Sequence, residues 1–190
     1  MIMKTHNILI IVDAQNDFIT GSLANPVANE RVPNIVELIK SKDWDGIFAT
    51  FDTHYDDYLD IPEGKALPVP HCIYQTNGWC FDPRVDEALQ EFIKTHPTTP
   101  FSSVLKPTFG SLALTEEIWE TLDCTLEDTY DITICGFCTD ICVVSNALIL
   151  KADFFRRGNI TVVSNACAGV TPEKHEAALE VMRSCQINIV

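Results

Sequence analysis

Six short runs of apolar, largely β-branched residues recur along the chain: NILIIVD at 7–13, GIFATF at 46–51, FSSVLK at 101–106, YDITICGF at 130–137, NITVVS at 159–164 and INIV at 187–190. They run on without a regular polar alternation. A strand of that kind needs cover on both faces, the condition met in parallel sheets flanked by helices.

Between the runs lie segments with helical spacing. In ERVPNIVELIK, Val32, Ile35, Val36 and Ile39 fall at i, i+3, i+4 and i+7, and in DPRVDEALQEFIK the same spacing takes Val85, Ala88, Leu89 and Phe92. Each predicts a helix with one buried stripe, the second opened by Asp82 as N-cap and Pro83 at the first helical position. Thr115 opens a shorter helix. A segment apolar almost all round runs from about Thr139 to Arg157 and stops at Gly158, and Thr171-Pro172 starts a last helix with Ala178, Val181 and Met182. Strand and helix alternate from end to end. That order predicts a single domain over 1–190, a three-layer α/β/α fold around a mostly parallel, doubly wound, Rossmann-like sheet of six strands. Ligands in such sheets sit beyond the carboxyl ends of the strands.

Composition narrows the function. A chain of 190 residues can bury a full core without disulfides or metal staples. The formal net charge of -14 opposes encounter with nucleic acid and anionic membrane surfaces, leaving small neutral or cationic molecules as partners. The apolar run before Asp13 is too short for a signal-peptide core or a membrane span, so a soluble, cytoplasmic protein is expected. The 8 cysteines are too few for a disulfide scaffold, and a reducing cytosol keeps them as thiols, most as small buried residues. Neither GxGxxG nor GxxxxGK[ST] occurs, so no nucleotide cofactor is expected.

Three predicted strand ends carry reactive groups: Asp13 ends the first run, Lys106 the third, and the turn CGFCTDIC follows the fourth. A thiol is a useful nucleophile only as thiolate; a carboxylate can take its proton, and an ammonium favours both anions. Cys142 stands at the entrance of the apolar helix, where the dipole and free N–H groups favour a thiolate and offer an oxyanion hole. Each residue also has a plainer reading: Asp13 as a turn cap, Lys106 as a solvated strand end, Cys142 as buried filler. The trio Cys135, Cys138 and Cys142 admits a redox pair or an iron–sulfur site as well. Against that stand the place of Cys135 inside a strand and the want of a fourth cysteine at cluster spacing. Arg156 and Arg157 read as complements to a helix C-terminus.

Residues 52–81 form the one long stretch without periodicity, and loops of that length are usually functional or disordered. It holds Asp52, His54, Glu63 and His71. A carboxylate and two imidazoles suit Zn, Mn or Fe, and D-x-H lets two ligands reach one ion from an extended segment. A hydrated polar loop is the alternative.

The opening IIVDAQNDFITGSL, the segment LKPTFGS and the turn GFCTDICV together resemble the isochorismatase-like cysteine hydrolase superfamily and, within it, the nicotinamidase branch, over essentially the whole chain. The resemblance implies Asp13 as general base and acid, Lys106 as the cation holding carboxylate and thiolate together, and Cys142 as nucleophile, with Cys138 where alanine is usual. It implies a cis peptide between Phe137 and Cys138, the N–H groups of Cys138 and Cys142 forming the oxyanion hole. It implies one divalent metal ion, zinc before manganese or iron, on Asp52, His54, His71 and Glu63, with Asp60 the alternative for the third side chain. Phe18 and Phe109 would flank a flat ring. The implied activity is hydrolysis of a small aromatic carboxamide, nicotinamide first, to the acid and ammonia through a thioester, as in pyridine nucleotide salvage, by a homo-oligomer, dimer or tetramer. Another amide, a carbamoyl group or a vinyl ether is the alternative substrate, and the metal ligands argue against the last. One departure is plain: where the family often reads H-C-x-x-G-T-x-G, this chain has Gln75 in place of the first glycine.

Overall fold

In the computed structural model, which describes residues 3–190, the six runs form one sheet whose neighbours all pair in parallel. The elements follow as β1 (Thr5–Val12), α1 (Asn16–Ile19), α2 (Pro26–Lys40), β2 (Gly46–Asp52), α3 (Pro62–Ala66), α4 (Pro83–Thr95), β3 (Phe101–Lys106), α5 (Leu112–Thr121), β4 (Thr129–Phe137), α6 (Val144–Asp153), β5 (Gly158–Ala168), α7 (Pro172–Ser184) and β6 (Asn188–Ile189). The strand order is β3-β2-β1-β4-β5-β6. The chain winds outward one way from β1 to β3 and the other way from β4 to β6, so a crevice opens where the order reverses, between β1 and β4. Right-handed crossovers put α2 and α4 on one face and α5, α6 and α7 on the other; α2 packs on α4, and α6 touches both α5 and α7.

The central strands carry the core. Ile8 through Val12 are wholly buried, and β2 is buried along its length. The edge strands depart from the expectation of double cover. In β3 exposed Ser103 and Leu105 alternate with buried Val104 and Lys106, with only β2 beside the strand, and β6 is reduced to two residues. Asp82 caps α4 by accepting from the Arg84 N–H, and Thr171 caps α7 by accepting from the Lys174 N–H, as their positions before Pro83 and Pro172 predict.

Three helical expectations need correction. The helix expected from Thr115 starts at Leu112: no side chain caps it, and Asn146 takes the Ser111 N–H instead. The segment from Thr139 to Arg157 is two pieces, a π-helical turn at Thr139–Val143 and then α6. Arg157 donates to the Glu127 carbonyl, reaching the turn before β4, while α6 has already ended at Asp153.

Gly136 is required where it stands. Its φ is 122, and a Cβ there would collide with the Val12 carbonyl, so only glycine lets β4 pass this close to the end of β1. Among the described residues no helix is long and apolar enough to cross a membrane.

Candidate functional site

The crevice holds what the strand ends deliver. Asp13 follows β1 directly, bent out of the strand at φ 46, with its N–H on the Thr50 carbonyl (3.2 Å). Lys106 ends β3 in register with Asp52 at the end of β2. Its Nζ lies 2.7 Å from Asp13 Oδ2, 3.4 Å from Asp52 Oδ1 and 3.5 Å from Cys142 Sγ. Asp13 is fully buried, Lys106 is 1% exposed and Cys142 4%, so these charges face one another rather than water. The structure therefore brings Asp13, Lys106 and Cys142 together, and Asp52 with them. Thr50, which carried no sequence signal, donates its hydroxyl to Asp13 Oδ1 at 2.6 Å.

Burial and mutual charge set the protonation states. Burial works against the Lys106 ammonium, but Asp13, Cys142 and Asp52 around it carry its pKa well above the ordinary lysine value. Burial raises Asp13, with Lys106 opposing and Asp52 adding to the rise. Burial likewise lifts the Cys142 thiol far above its usual range, and the Asp13 and Asp52 carboxylates lift it further than Lys106 lowers it. Burial therefore opposes a thiolate at Cys142, and the Asp13 carboxyl in the same cluster is the group placed to take the thiol proton.

Beside this cluster Asp52 turns its other oxygen to two imidazoles. Asp52 Oδ2 lies 3.2 Å from His54 Nε2 and 3.3 Å from His71 Nε2. Among the described residues these three are the one group of metal-type side chains with converging ligand atoms, all within 4.8 Å of one another. Glu63, on α3, brings Oε1 to 3.6 Å from His54 Nε2 and 3.9 Å from His71 Nε2, whereas Asp60 is exposed. The donor set fits a divalent cation on its own chemistry. The buried His54 Nε2 has no hydrogen-bond partner, and His71 Nδ1 donates to the Val69 carbonyl (2.9 Å), which leaves the Nε2 lone pair free for a ligand.

The loop that supplies these ligands is not shapeless. Tyr58 begins a short 3₁₀ turn (Tyr58–Asp60), packs its ring on His54 and His71 at 4.6 and 5.1 Å and donates its hydroxyl to the Leu67 carbonyl. Gly64 passes so close to the Tyr58 carbonyl that a Cβ would not fit, which is how α3 folds back to aim Glu63 inward. Gln15, fully buried, grips Asp52 from both sides: its amide donates to the Asp52 and Trp79 carbonyls and its oxygen takes the Asp52 N–H. Asp17 accepts the Cys72 N–H at 2.7 Å, fixing the chain next to His71. Gln15 and Asp17 lie in the QNDF stretch, where only Phe18 was singled out by sequence.

Both clusters open into one cavity of ≈ 420 Å³, whose walls include Phe18 and Phe109, with Asp52, Glu63, His71, Cys138 and Cys142 also exposed to it. Phe18 is 6% exposed and set edge-on to His71, while Phe109, 45% exposed, stands at the mouth. The Phe137–Cys138 peptide is cis, and Cys138 heads the turn that carries Cys142. Cys135 sits inside β4 with its thiol toward the Ile10 carbonyl, so the three thiols do not converge. Gln75 takes the left-handed conformation a glycine would adopt, φ 63, and is not part of the cavity wall.

Residues 7–190 match the protein-family model described as the isochorismatase domain. A nicotinamidase of Schizosaccharomyces pombe is 26% identical over 99% of this chain and 94% of its own. A nicotinamidase/pyrazinamidase of Mycobacterium tuberculosis is 29% identical over 96% and 97%. The crystal structure of a pyrazinamidase of Pyrococcus horikoshii in complex with zinc superposes with a TM-score of 0.73 at 26% identity, covering 97% of this chain and 98% of that one.

Proposed function

Because the chain belongs to the isochorismatase family, among relatives that are nicotinamidases, we propose that it is a metal-containing cysteine amidase that hydrolyses a small aromatic carboxamide, nicotinamide first, to the acid and ammonia. The observation that carries this reading is that Cys142, backed by the buried Asp13 and Lys106, lines the same cavity as Asp52, Glu63 and His71 of the carboxylate–imidazole set.

In this reading Asp13 takes the Cys142 proton and the thiolate attacks the amide carbon. Burial raises the pKa of both groups, which makes the Asp13 carboxylate a stronger base than a solvated one, and Lys106 stays charged throughout as the counter-ion. The N–H groups of Cys138 and Cys142 hold the developing oxyanion. Asp13 returns the proton to the leaving nitrogen, ammonia departs, and water, deprotonated by Asp13, cleaves the thioester. Phe18 and Phe109 flank the ring. Asp52, His54, His71 and Glu63 would hold a divalent ion, zinc first, which when bound supplies a Lewis-acidic point for the ring nitrogen and so fixes the amide over Cys142.

The test is ammonia release from a panel of amides led by nicotinamide and pyrazinamide. The expected result is turnover of nicotinamide that Cys142→Ala abolishes. Ammonia release that survives Cys142→Ala, or none from any amide of the panel, would sink the reading.

A further inference from the structure

The motif GFCTDICV contains two residues, Thr139 and Asp140, for which the chemistry above has no use, and both point to the same place. Thr139 is wholly buried at the first position of the π-helical turn, and its hydroxyl lies 2.8 Å from His175 Nδ1, in the first turns of α7. Asp140 Oδ1 accepts the Val170 N–H at 2.9 Å, just before α7. Between them Gly169 packs so tightly that an added Cβ would lie 2.8 Å from the His175 N and 2.9 Å from Asp140 Oδ1. On the other side, Asn146 Nδ2 donates to the Cys142 carbonyl at 2.8 Å. The turn that presents Cys142 is thus tied at its head to α7 and at its tail to α6. The head is held by two bonds, Asp140 to the Val170 N–H and Thr139 to His175, of which only the second joins two side chains.

We propose that His175 is a positioning residue for the nucleophile: through Thr139 it fixes the turn Thr139–Val143, and with it the Cys142 sulfur and the N–H groups of Cys138 and Cys142. The inference deepens the amidase reading of this site and rests on it only for the turnover readout. His175 itself touches no reacting group. Removing its ring leaves the Thr139 hydroxyl buried without that partner, a penalty the turn can relieve by shifting. A displacement on the order of 1 Å at a reacting centre costs up to about 10²-fold in rate. Substrate contacts in the cavity, which come from other elements as well, are left in place, so the loss falls on kcat.

The experiment compares His175→Ala with His175→Asn, because the asparagine amide puts a hydrogen-bonding atom where Nδ1 stands. Two rates are read: amide turnover, and alkylation of Cys142 by iodoacetamide, followed by mass spectrometry of its peptide in the folded protein. We expect His175→Ala to lower kcat about tenfold or more with KM nearly unchanged, to slow Cys142 alkylation, and both to recover in His175→Asn. Thr139→Val should match His175→Ala, and Thr139→Ser should match wild type. The proposal is overturned if His175→Ala keeps wild-type kcat and alkylation, or if His175→Asn, folded by circular dichroism, is as impaired as His175→Ala. Alkylation needs no substrate, so a wild-type protein inert toward every amide would end the amidase reading while the positioning claim is still decided by the alkylation rates.

Discussion

The thiol half and the metal half of the cavity are made by different means. Asp13, Lys106 and Cys142 hang from the ends of β1, β3 and the turn after β4, and adjacent strands in register set their spacing: Val12 lies opposite Gly136 and Asp52 opposite Lys106. His54, Glu63 and His71 hang from the segment between β2 and α4, held by two backbone bonds of His54, to the Cys72 carbonyl and from the Tyr74 N–H, and by side-chain contacts to Gln15, Asp17 and Tyr58. The sheet places one half through a continuous ladder of backbone bonds, and the loop places the other through scattered backbone bonds and a few side chains. The thiol half should therefore resist perturbation elsewhere in the chain, while the metal half should be the part that loosens.

Four measurements sharpen or break that contrast. The largest effect belongs to the thiol half: Cys142→Ala and Asp13→Asn should each lower kcat about 10³-fold or more, on the scale of losing one member of a catalytic triad, while metal content by atomic emission stays at the wild-type level. Loss of metal in either variant would mean the halves are not separately built. Next, a chelator should raise KM about tenfold, the equivalent of roughly 1.4 kcal/mol of binding, at least as much as it lowers kcat, and leave Cys142 alkylation intact. Unchanged kinetics in the metal-free enzyme would remove the metal from the assignment.

Smaller effects probe the loop's own anchors. Asp82 closes the loop, donating its N–H to the Ala14 carbonyl and capping α4, so Asp82→Ala should cost about 1 kcal/mol in urea unfolding. Burial tends to raise the Asp82 carboxyl, but the bonds from Arg84 outweigh it and hold it below its ordinary value. A depressed folded-state pKa means this stability is present above the unfolded value of about 4 and fades as pH falls through the folded one. The gap between wild type and Asp82→Ala should accordingly narrow on acidification below about pH 4, and a gap that widened there would refute the sign. Last, Gln75→Gly should raise stability by up to about 1 kcal/mol, since a residue with a Cβ is held at φ 63 there, with turnover unaffected because Gln75 does not line the cavity. A change in KM would show that the loop reaches further into the site than its geometry indicates.

The same contrast explains what sequence could reveal. The strands were legible because a buried parallel strand writes itself as an unbroken apolar run, and α4 and α7 because Asp82-Pro83 and Thr171-Pro172 mark their starts locally. Asp13, Lys106 and Cys142 stood out as candidates because strand ends are local patterns too, and Asp52 and His54 through their D-x-H spacing, while their roles came from the resemblance of three motifs. Thr50, Gln15 and His175 were not, for each acts on a partner 36 or 37 positions away. Nor could apolar periodicity reveal the π-helical turn before α6, since a slip of one residue in a helix apolar all round leaves no mark. The start of α5 was misplaced because Ser111 at its N-cap makes no side-chain capping bond and is instead held through its N–H by Asn146, 35 residues on.

Asp52 is shared property: one of its oxygens answers Lys106 and the other the imidazoles. The two halves therefore cannot be lost one at a time through this position. A descendant that gave up the metal would still need an acid at residue 52 for the sake of its lysine, so an aspartate there in some other chain says little about whether that chain binds an ion. The histidines are the diagnostic letters, and a carboxylate that outlives them is explained by the lysine alone.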